Sequence, residues 1–390
     1  MPGISIDPSY AYTRNASCSL VKGGKGYFDR MLQMIESAVE SIHLQVYIFD
    51  ADETGNMIAD ALIRAAGRGV EVYLLCDGYA SASLPEAFRL RLLENGIFFR
   101  MFEPIFRSSN FYFGRRMHHK ILVTDGQHAL VGGINISNKY NDMEGQHSWL
   151  DWAVYAEGQV AAELVKVCLR LWTKSRVKSR RIIEKHLSRP TPSGDVEIRL
   201  RRNDWVNNKT QITASYYEMF SKAQHDILIM SSYFLPGKSF GRALIKAADR
   251  KVRVRIILAG HSDILTAKLA ERHFYRKLFR HNIEIYEYQP SILHGKIAAY
   301  DGKWCTVGSY NVNNISAYAS IELNLDIKNN SCANMVHQRL EEIIEKDCIR
   351  ITAAAYDRKY SLLSRFLQWS AYQVVQMLFK ASTFYFRQVR

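Results

Sequence analysis

Residues 118–135 read HHKILVTDGQHALVGGIN, and residues 294–311 read HGKIAAYDGKWCTVGSYN. Laid side by side without a gap, they match His118 with His294, Lys120 with Lys296 and Asp125 with Asp301. Gly132 falls on Gly308 and Asn135 on Asn311, while Gly133 stands where the second copy has Ser309. From His118 to His294 is 176 positions, and every other pair keeps that offset. Such a duplicate predicts two homologous halves that bring the same chemical groups to one site.

The repeat continues outward from the motifs. In the first half, residues 28–38 and 57–67 read as helices, and 42–49 and 70–78 as strands. In the second, 212–223 and 240–249 read as helices; 227–230 (running into Tyr233-Phe234-Leu235) and 252–260 read as strands. AAGRGVEVYLLCDG at 65–78 answers AADRKVRVRIILAG at 247–260, so about six residues of loop variation separate the two offsets. Alternating strand and helix signals predict an α/β fold, two α/β/α sandwich halves packed about a pseudo-two-fold axis. The expected linker is 174–197, where KSRVKSRR and SRPTPSGD supply charge, proline and glycine without apolar periodicity. The expected division is 1–185, 186–350 and an aromatic, basic tail over 351–390.

At 390 residues and 47% hydrophobic content, the chain can bury a large core and is far from the composition of disorder. A formal charge of +14 predicts attraction to polyanions, which an anionic membrane and a nucleic acid satisfy equally. Six scattered cysteines with no CxxC pair predict reduced thiols and argue against a structural zinc site. The first residues, MPGISIDPSYAYTR, lack the pattern of a secretory signal, and no run of 18 apolar residues occurs. The expectation is a cytoplasmic protein that meets the inner face of the cell membrane peripherally.

Two segments bear on that contact. IFRSSNFYFGRR at 105–116 precedes the first motif, and Phe111, Tyr112 and Phe113 are read there as lipid contacts, against the alternatives of an apolar lid or a packing element. SRFLQWSAYQVVQMLFKASTFYFRQVR at 364–390 carries Trp369 among many apolar residues, with Arg365, Lys380, Arg387 and Arg390. It either caps the core as an ordinary helix or lies in a membrane interface with Trp369 toward lipid.

The motif residues suit phosphodiester chemistry. Alternation along a strand puts His118 and Lys120 on one face and turns His119 away, and His294 and Lys296 share a face likewise. One imidazole attacks phosphorus; the other protonates the leaving oxygen and then deprotonates the incoming hydroxyl. Lys120 and Lys296 supply positive charge, and Asn135 and Asn311 supply amide donors to the phosphate oxygens. No metal and no cofactor is expected. A histidine in this role needs its other nitrogen held by an acceptor, and Asp151 and Glu322, in short apolar strands, are the candidates. Asp125 and Asp301 each open an Asp-Gly turn and are expected to be structural. His119, His128 and His147 are expected to be packing or surface groups. Tyr47, Tyr79, Tyr233 and Tyr288 are open between cleft and core.

The paired HxKxxxxD motifs with downstream glycine and asparagine resemble the phospholipase D superfamily over roughly residues 20 to 350. Within it the chain is most similar to the shorter bacterial cardiolipin synthases that lack N-terminal transmembrane helices. The resemblance implies a phospholipase D-like fold for each half. It also implies a phosphatidyltransferase acting on phosphatidylglycerol, or on phosphatidylethanolamine as donor, with release of the headgroup alcohol. It makes His118 the nucleophile through a phosphohistidine and His294 its acid/base partner. Lys120, Lys296, Asn135, Asn311 and Ser309 become the phosphate-binding set, with Gly132 and Gly308 structural. A phospholipase D hydrolase, a nucleic-acid phosphodiesterase and an inactive lipid-binding protein are the competing readings; nucleic acid is disfavoured because neither the aromatic loop nor the tail serves it.

Overall fold

The computed structural model describes residues 11–104, 115–173, 175–187, 190–313 and 320–387. The loop carrying Phe111, Tyr112 and Phe113 lies outside the described residues. Within the described chain, the strand order of the first half is Phe98–Phe102, Glu71–Asp77, Ser41–Val46, Lys120–Thr124, His128–Gly132, Trp152–Gly158, Thr13–Lys22. The second half repeats it as Glu284–Tyr288, Arg253–Ala259, Asp226–Ser231, Lys296–Tyr300, Trp304–Gly308, Ser320–Lys328, Val196–Asp204. In each, the first three strands are parallel and the rest antiparallel. The last strands of the two series pair with each other, Thr13 opposite Ile198 and Asn15 opposite Val196.

The parallel strands need crossover helices, and the sequence provides them. Helix Glu53–Gly67 shows how: Asp52 caps it by accepting from the Gly55 N–H at 3.0 Å, and Ile58, Leu62 and Ala65 recur at helical spacing on its buried side. With Lys25–Ser37 and Glu86–Glu94 it encloses the outer core of the first half. Gln211–Lys222 and Lys238–Asp249 do the same for the second. Between the halves lies a shared core. Ile121, Val131 and Val154 meet Leu228, Ile297 and Val307 there, together with helices Gln159–Trp172 and Asn330–Asp347. Each fully buried aliphatic side chain in it contributes about 1.5–3 kcal/mol, so the halves are joined by burial far more than by their connecting chain.

Two expectations need correction. The stretch expected as a linker holds a helix, Arg176–His186, capped by the Ser175 hydroxyl. Its last residue is buried, with Nδ1 3.1 Å from His43 and Nε2 2.7 Å from Glu71. Its fully buried residue is this histidine, and Ile182 and Ile183 rest on the shared core only partly buried, so the helix leaves little trace in hydrophobic periodicity. The cysteines also differ from the expected six thiols. Cys18, on the first strand, is bonded to Cys332 of helix Asn330–Asp347, while Cys76, Cys168, Cys305 and Cys348 are free. Scattered positions in sequence carry no information about distance once the first strand docks beside the second half.

The tail forms helix Leu362–Arg387. One stripe is anchored: Gln368 is buried and accepts from the Tyr356 hydroxyl, and Tyr372 stacks on His273 at 5.0 Å. The other is bare, with Leu363, Phe366, Trp369, Val374 and Met377 all exposed. The tail thus caps the body along one side and presents apolar residues to its surroundings along the other. No described helix is long and apolar enough to cross a membrane.

Candidate active site

His118 and His294 lie just ahead of their motif strands, in extended segments that cross from one half to the other. Arg116–Met117 runs parallel to Ser320–Ile321 of the second half, and the His118 N–H donates to the Ile321 carbonyl at 3.0 Å. Leu293 bridges Leu150 of the first half in the same parallel sense, and the His294 N–H donates to the Leu150 carbonyl at 2.8 Å. In a parallel register the residues one step onward are again neighbours. Those residues are His118 with Glu322, and His294 with Asp151.

The carboxylates accordingly serve the opposite half. His118 Nδ1 lies 2.9 Å from Glu322 Oε2, and His294 Nδ1 lies 2.6 Å from Asp151 Oδ2. A carboxylate only accepts, so each ring donates through Nδ1, leaving Nε2 as its basic nitrogen. Burial pushes the His294 imidazole down to about 4, and Lys296 adds to this, against the opposing pull of Asp151. Burial lowers His118 also, opposed by Glu322. Burial raises Glu322, but His118, Lys120 and Ser309 outweigh it and hold the carboxyl below its ordinary value. Both histidines are therefore neutral at neutral pH, the form that can attack or accept a proton.

Lys120 and Lys296 are 2% and 1% exposed, one layer behind the histidines. Lys120 Nζ donates to the His118 carbonyl at 2.9 Å and sits 4.9 Å from the Tyr47 ring centre. Lys296 Nζ donates to the His294 carbonyl and, at 3.1 Å, to Ser232; it lies 2.9 Å from His294 Nδ1 and 3.8 Å from Asp151. Burial pushes Lys296 down to about 8 and Lys120 well below the ordinary lysine value. Buried ammonium groups without a full counter-charge gain when an anion enters beside them.

Asn135 and Asn311 reach the cavity itself. Asn135 is held by the Ile48 N–H on its oxygen at 3.1 Å and donates to the Tyr140 hydroxyl at 2.9 Å. Ser309, expected among the phosphate contacts, is fully buried and donates to Glu322 Oε2, so it braces a carboxylate. Its counterpart Gly133 cannot take that role: a Cβ there would lie 2.5 Å from both Asp151 oxygens. Asp125 and Asp301 are remote from the cavity. Asp125 accepts from the Val39, Glu40 and Ser41 N–H groups, and Asp301 from those of Gln224, His225 and Asp226. Each fastens the turn that leads into the strand beside its own motif strand. Gly132 and Gly308 end the neighbouring strands, pressed against the Trp152 and Leu323 carbonyls.

His118, His294, Asn135, Asn311 and Glu322 share one cavity of about 790 Å³. His119 points elsewhere, to Gln45 at 3.1 Å; His128 meets the Tyr155 hydroxyl at 2.9 Å, and His147 is exposed. Gly295, opposite in the second motif, is filled against by Met230 and Trp152. Of the tyrosines, Tyr47 and Tyr233 line the cavity, Tyr288 is core, and Tyr79 lies exposed beneath Arg116. Arg116, expected with the loop over the cleft, lines the cavity, while residue-level reading missed Tyr140, whose hydroxyl is 3.5 Å from His294 Nε2, and Lys139 in the cavity wall. Their sole signal is closeness in sequence to the first motif, which selects no particular residue.

A family model described as "Cardiolipin synthase, PLD-like domain" matches residues 31–172 and again 216–347. Cardiolipin synthase B of Shigella flexneri is 32% identical over 337 residues, covering 85% of this chain and 81% of the relative. Cardiolipin synthase B of Escherichia coli K12 is 31% identical over the same extent, and a cardiolipin synthase of Oceanobacillus iheyensis is 27% identical, covering 89% of this chain and 72% of the relative. Among solved structures, a phosphatidylserine synthase of Haemophilus influenzae shares the fold with a TM-score of 0.72 at 13% identity, covering 96% of each chain.

Proposed function

The chain belongs to the phospholipase D-like cardiolipin synthases, and we propose that it is a phosphatidyltransferase that makes cardiolipin from phosphatidylglycerol. The observation that carries this reading is the crossed pair, His118 with Glu322 and His294 with Asp151, opening on one cavity. His118 Nε2 attacks the phosphorus of the donor lipid, and the bond to the headgroup oxygen breaks. His294 gives that oxygen a proton, releasing glycerol and leaving a phosphohistidine. The hydroxyl of a second phosphatidylglycerol then yields its proton to His294 and attacks phosphorus, and the N–P bond breaks. Entry of the anionic diester raises the proton affinity of His294 from its low resting value, which arms it as the acid.

Asn135 and Asn311 donate to the non-bridging oxygens, and Lys120 and Lys296 place charge behind them. The matching strand orders support a pseudo-two-fold relation between a first half, 1–185, and a second, 186–350, with the tail at 351–390 applied to the side. The bare apolar stripe of the tail supports peripheral contact with the inner face of the cell membrane, Trp369 included.

Purified protein in phosphatidylglycerol vesicles, followed by mass spectrometry, is expected to yield cardiolipin and free glycerol. Phosphatidic acid as the sole product would make it a hydrolase, and a parallel sample with phosphatidylethanolamine identifies the donor.

A further inference from the structure

The core of the site is nearly symmetric, but its walls are not. Beside Ile48, Ala80 and Trp149, the first half contributes Asp50, Ser137 and Lys139 to the cavity, polar side chains that suit a hydrated headgroup. From the second half, Ile264 and Ala267, at the start of helix Leu265–Arg272, line the cavity together with Val375 and Leu378 of the last helix. Asp263 is the charged group on that side, and it accepts from the Tyr233 hydroxyl at 2.5 Å.

The apolar wall does not stop at the cavity mouth. Ile264 and Leu265 are 48% and 70% exposed, and Val374, Met377 and Leu378 are 52%, 69% and 67% exposed. Leu378 both lines the cavity and belongs to the bare stripe of the last helix. An apolar surface so placed loses free energy in water at every residue unless something apolar covers it. Tyr372, one turn before Val375, stacks on His273 and meets Phe274 edge-on at 5.1 Å, which fixes the last helix against helix Leu265–Arg272. The groove is thus formed in advance of any ligand.

We propose that Ile264, Ala267, Val375 and Leu378 form an acyl-chain slot through which a membrane phospholipid enters the catalytic cavity without its chains passing through water. The inference rests on the lipid reading above and adds to it the orientation of the substrate: acyl chains toward the second half and last helix, headgroup toward Asp50 and Lys139. The occupant is the chain of a bilayer lipid, because the groove is continuous with a cavity built for a phosphodiester. The net charge of +14 further favours an anionic bilayer beside it.

The test compares turnover of dioleoyl phosphatidylglycerol in mixed micelles with turnover of bis(p-nitrophenyl) phosphate, which has no acyl chain. In the full-length Val375→Ser/Leu378→Ser protein, the ratio of lipid to soluble-diester kcat/KM is expected to fall about tenfold, the scale of apolar pocket contacts. Ile264→Ser, on the opposite side of the groove, is expected to move the same ratio in the same direction and guards against a folding defect in the last helix. An unchanged ratio in both variants, with a wild-type protein that turns over phospholipid, overturns the slot. A wild-type protein that cleaves the soluble diester but no phospholipid overturns the lipid reading and the slot together. A dimer that Val375→Ser/Leu378→Ser dissociates would assign the groove to a second copy of the chain and likewise overturn it.

Discussion

Asp151 favours the protonated form of His294, while burial and Lys296 oppose it. Asp151→Asn removes the favourable partner, so His294 is expected to titrate still lower than about 4, and His118, held by Glu322, to keep its own titration. Imidazole NMR of the two residues checks this; a shift of His118 instead would contradict the crossed pairing. His118→Ala and His294→Ala are each expected to lower kcat by roughly a thousandfold, the order that acid–base and nucleophilic groups supply. His119→Ala is expected to leave kcat within a few-fold, since that ring meets Gln45 and not the cavity. Turnover on phosphatidylglycerol vesicles distinguishes the three, and an equal loss at His119 would refute the assignment of faces. The histidines, lysines and asparagines were all legible in sequence because their spacing is repeated. Which carboxylate serves which histidine was not legible, because each lies in the same half as the wrong partner and spacing measures only distance along the chain. Ser309 was misread for a related reason: a motif position names a neighbourhood, and only packing shows that its hydroxyl is spent on Glu322.

The motif strand is held in register by the residue that follows it. Asp125 draws three backbone N–H groups onto one carboxylate at φ 53°, and Asp301 repeats this at φ 50°. Asp125→Ala leaves those donors without their acceptor at a largely buried turn and is expected to cost about 1–3 kcal/mol. Urea unfolding measures the loss; catalysis by the remaining folded fraction is expected to stay near normal, because the turn is at the far end of the strand from His118. A large fall in kcat without a fall in stability would instead place Asp125 in the chemistry. The four helices and four strands read from the repeat were foreseen to within a few residues because amphipathic and apolar runs match their periods, whereas helices Glu86–Glu94 and Gln159–Trp172 and the strands Thr13–Lys22 and Val196–Asp204 were not read in advance. Helix Arg176–His186 was not, since its buried end is a histidine bonded to His43 and Glu71.

Across the whole molecule, His43 and His119 are pushed by burial to about 3 and His294 to about 4, well below the ordinary histidine value. Between those values and about 6.5, the unfolded chain binds protons that the folded chain refuses, so stability falls as pH falls through that window. Each histidine adds a slope of up to ~1.4 kcal/mol per pH unit. Urea midpoints are expected to drop steadily from pH 7 to pH 5, and His119→Gln to flatten the slope; a midpoint independent of pH in that range would show these rings to be solvated. The duplicated motif by itself determined the two-part α/β architecture, the family and the candidate histidines, lysines and asparagines of the site, because repetition in a sequence survives without coordinates. Tertiary structure alone decided the crossing of carboxylates, the Cys18–Cys332 bond and the apolar wall beside the histidines. The reason is physical: these depend on strands and helices more than a hundred residues apart being packed together, and distance along a chain does not report that packing.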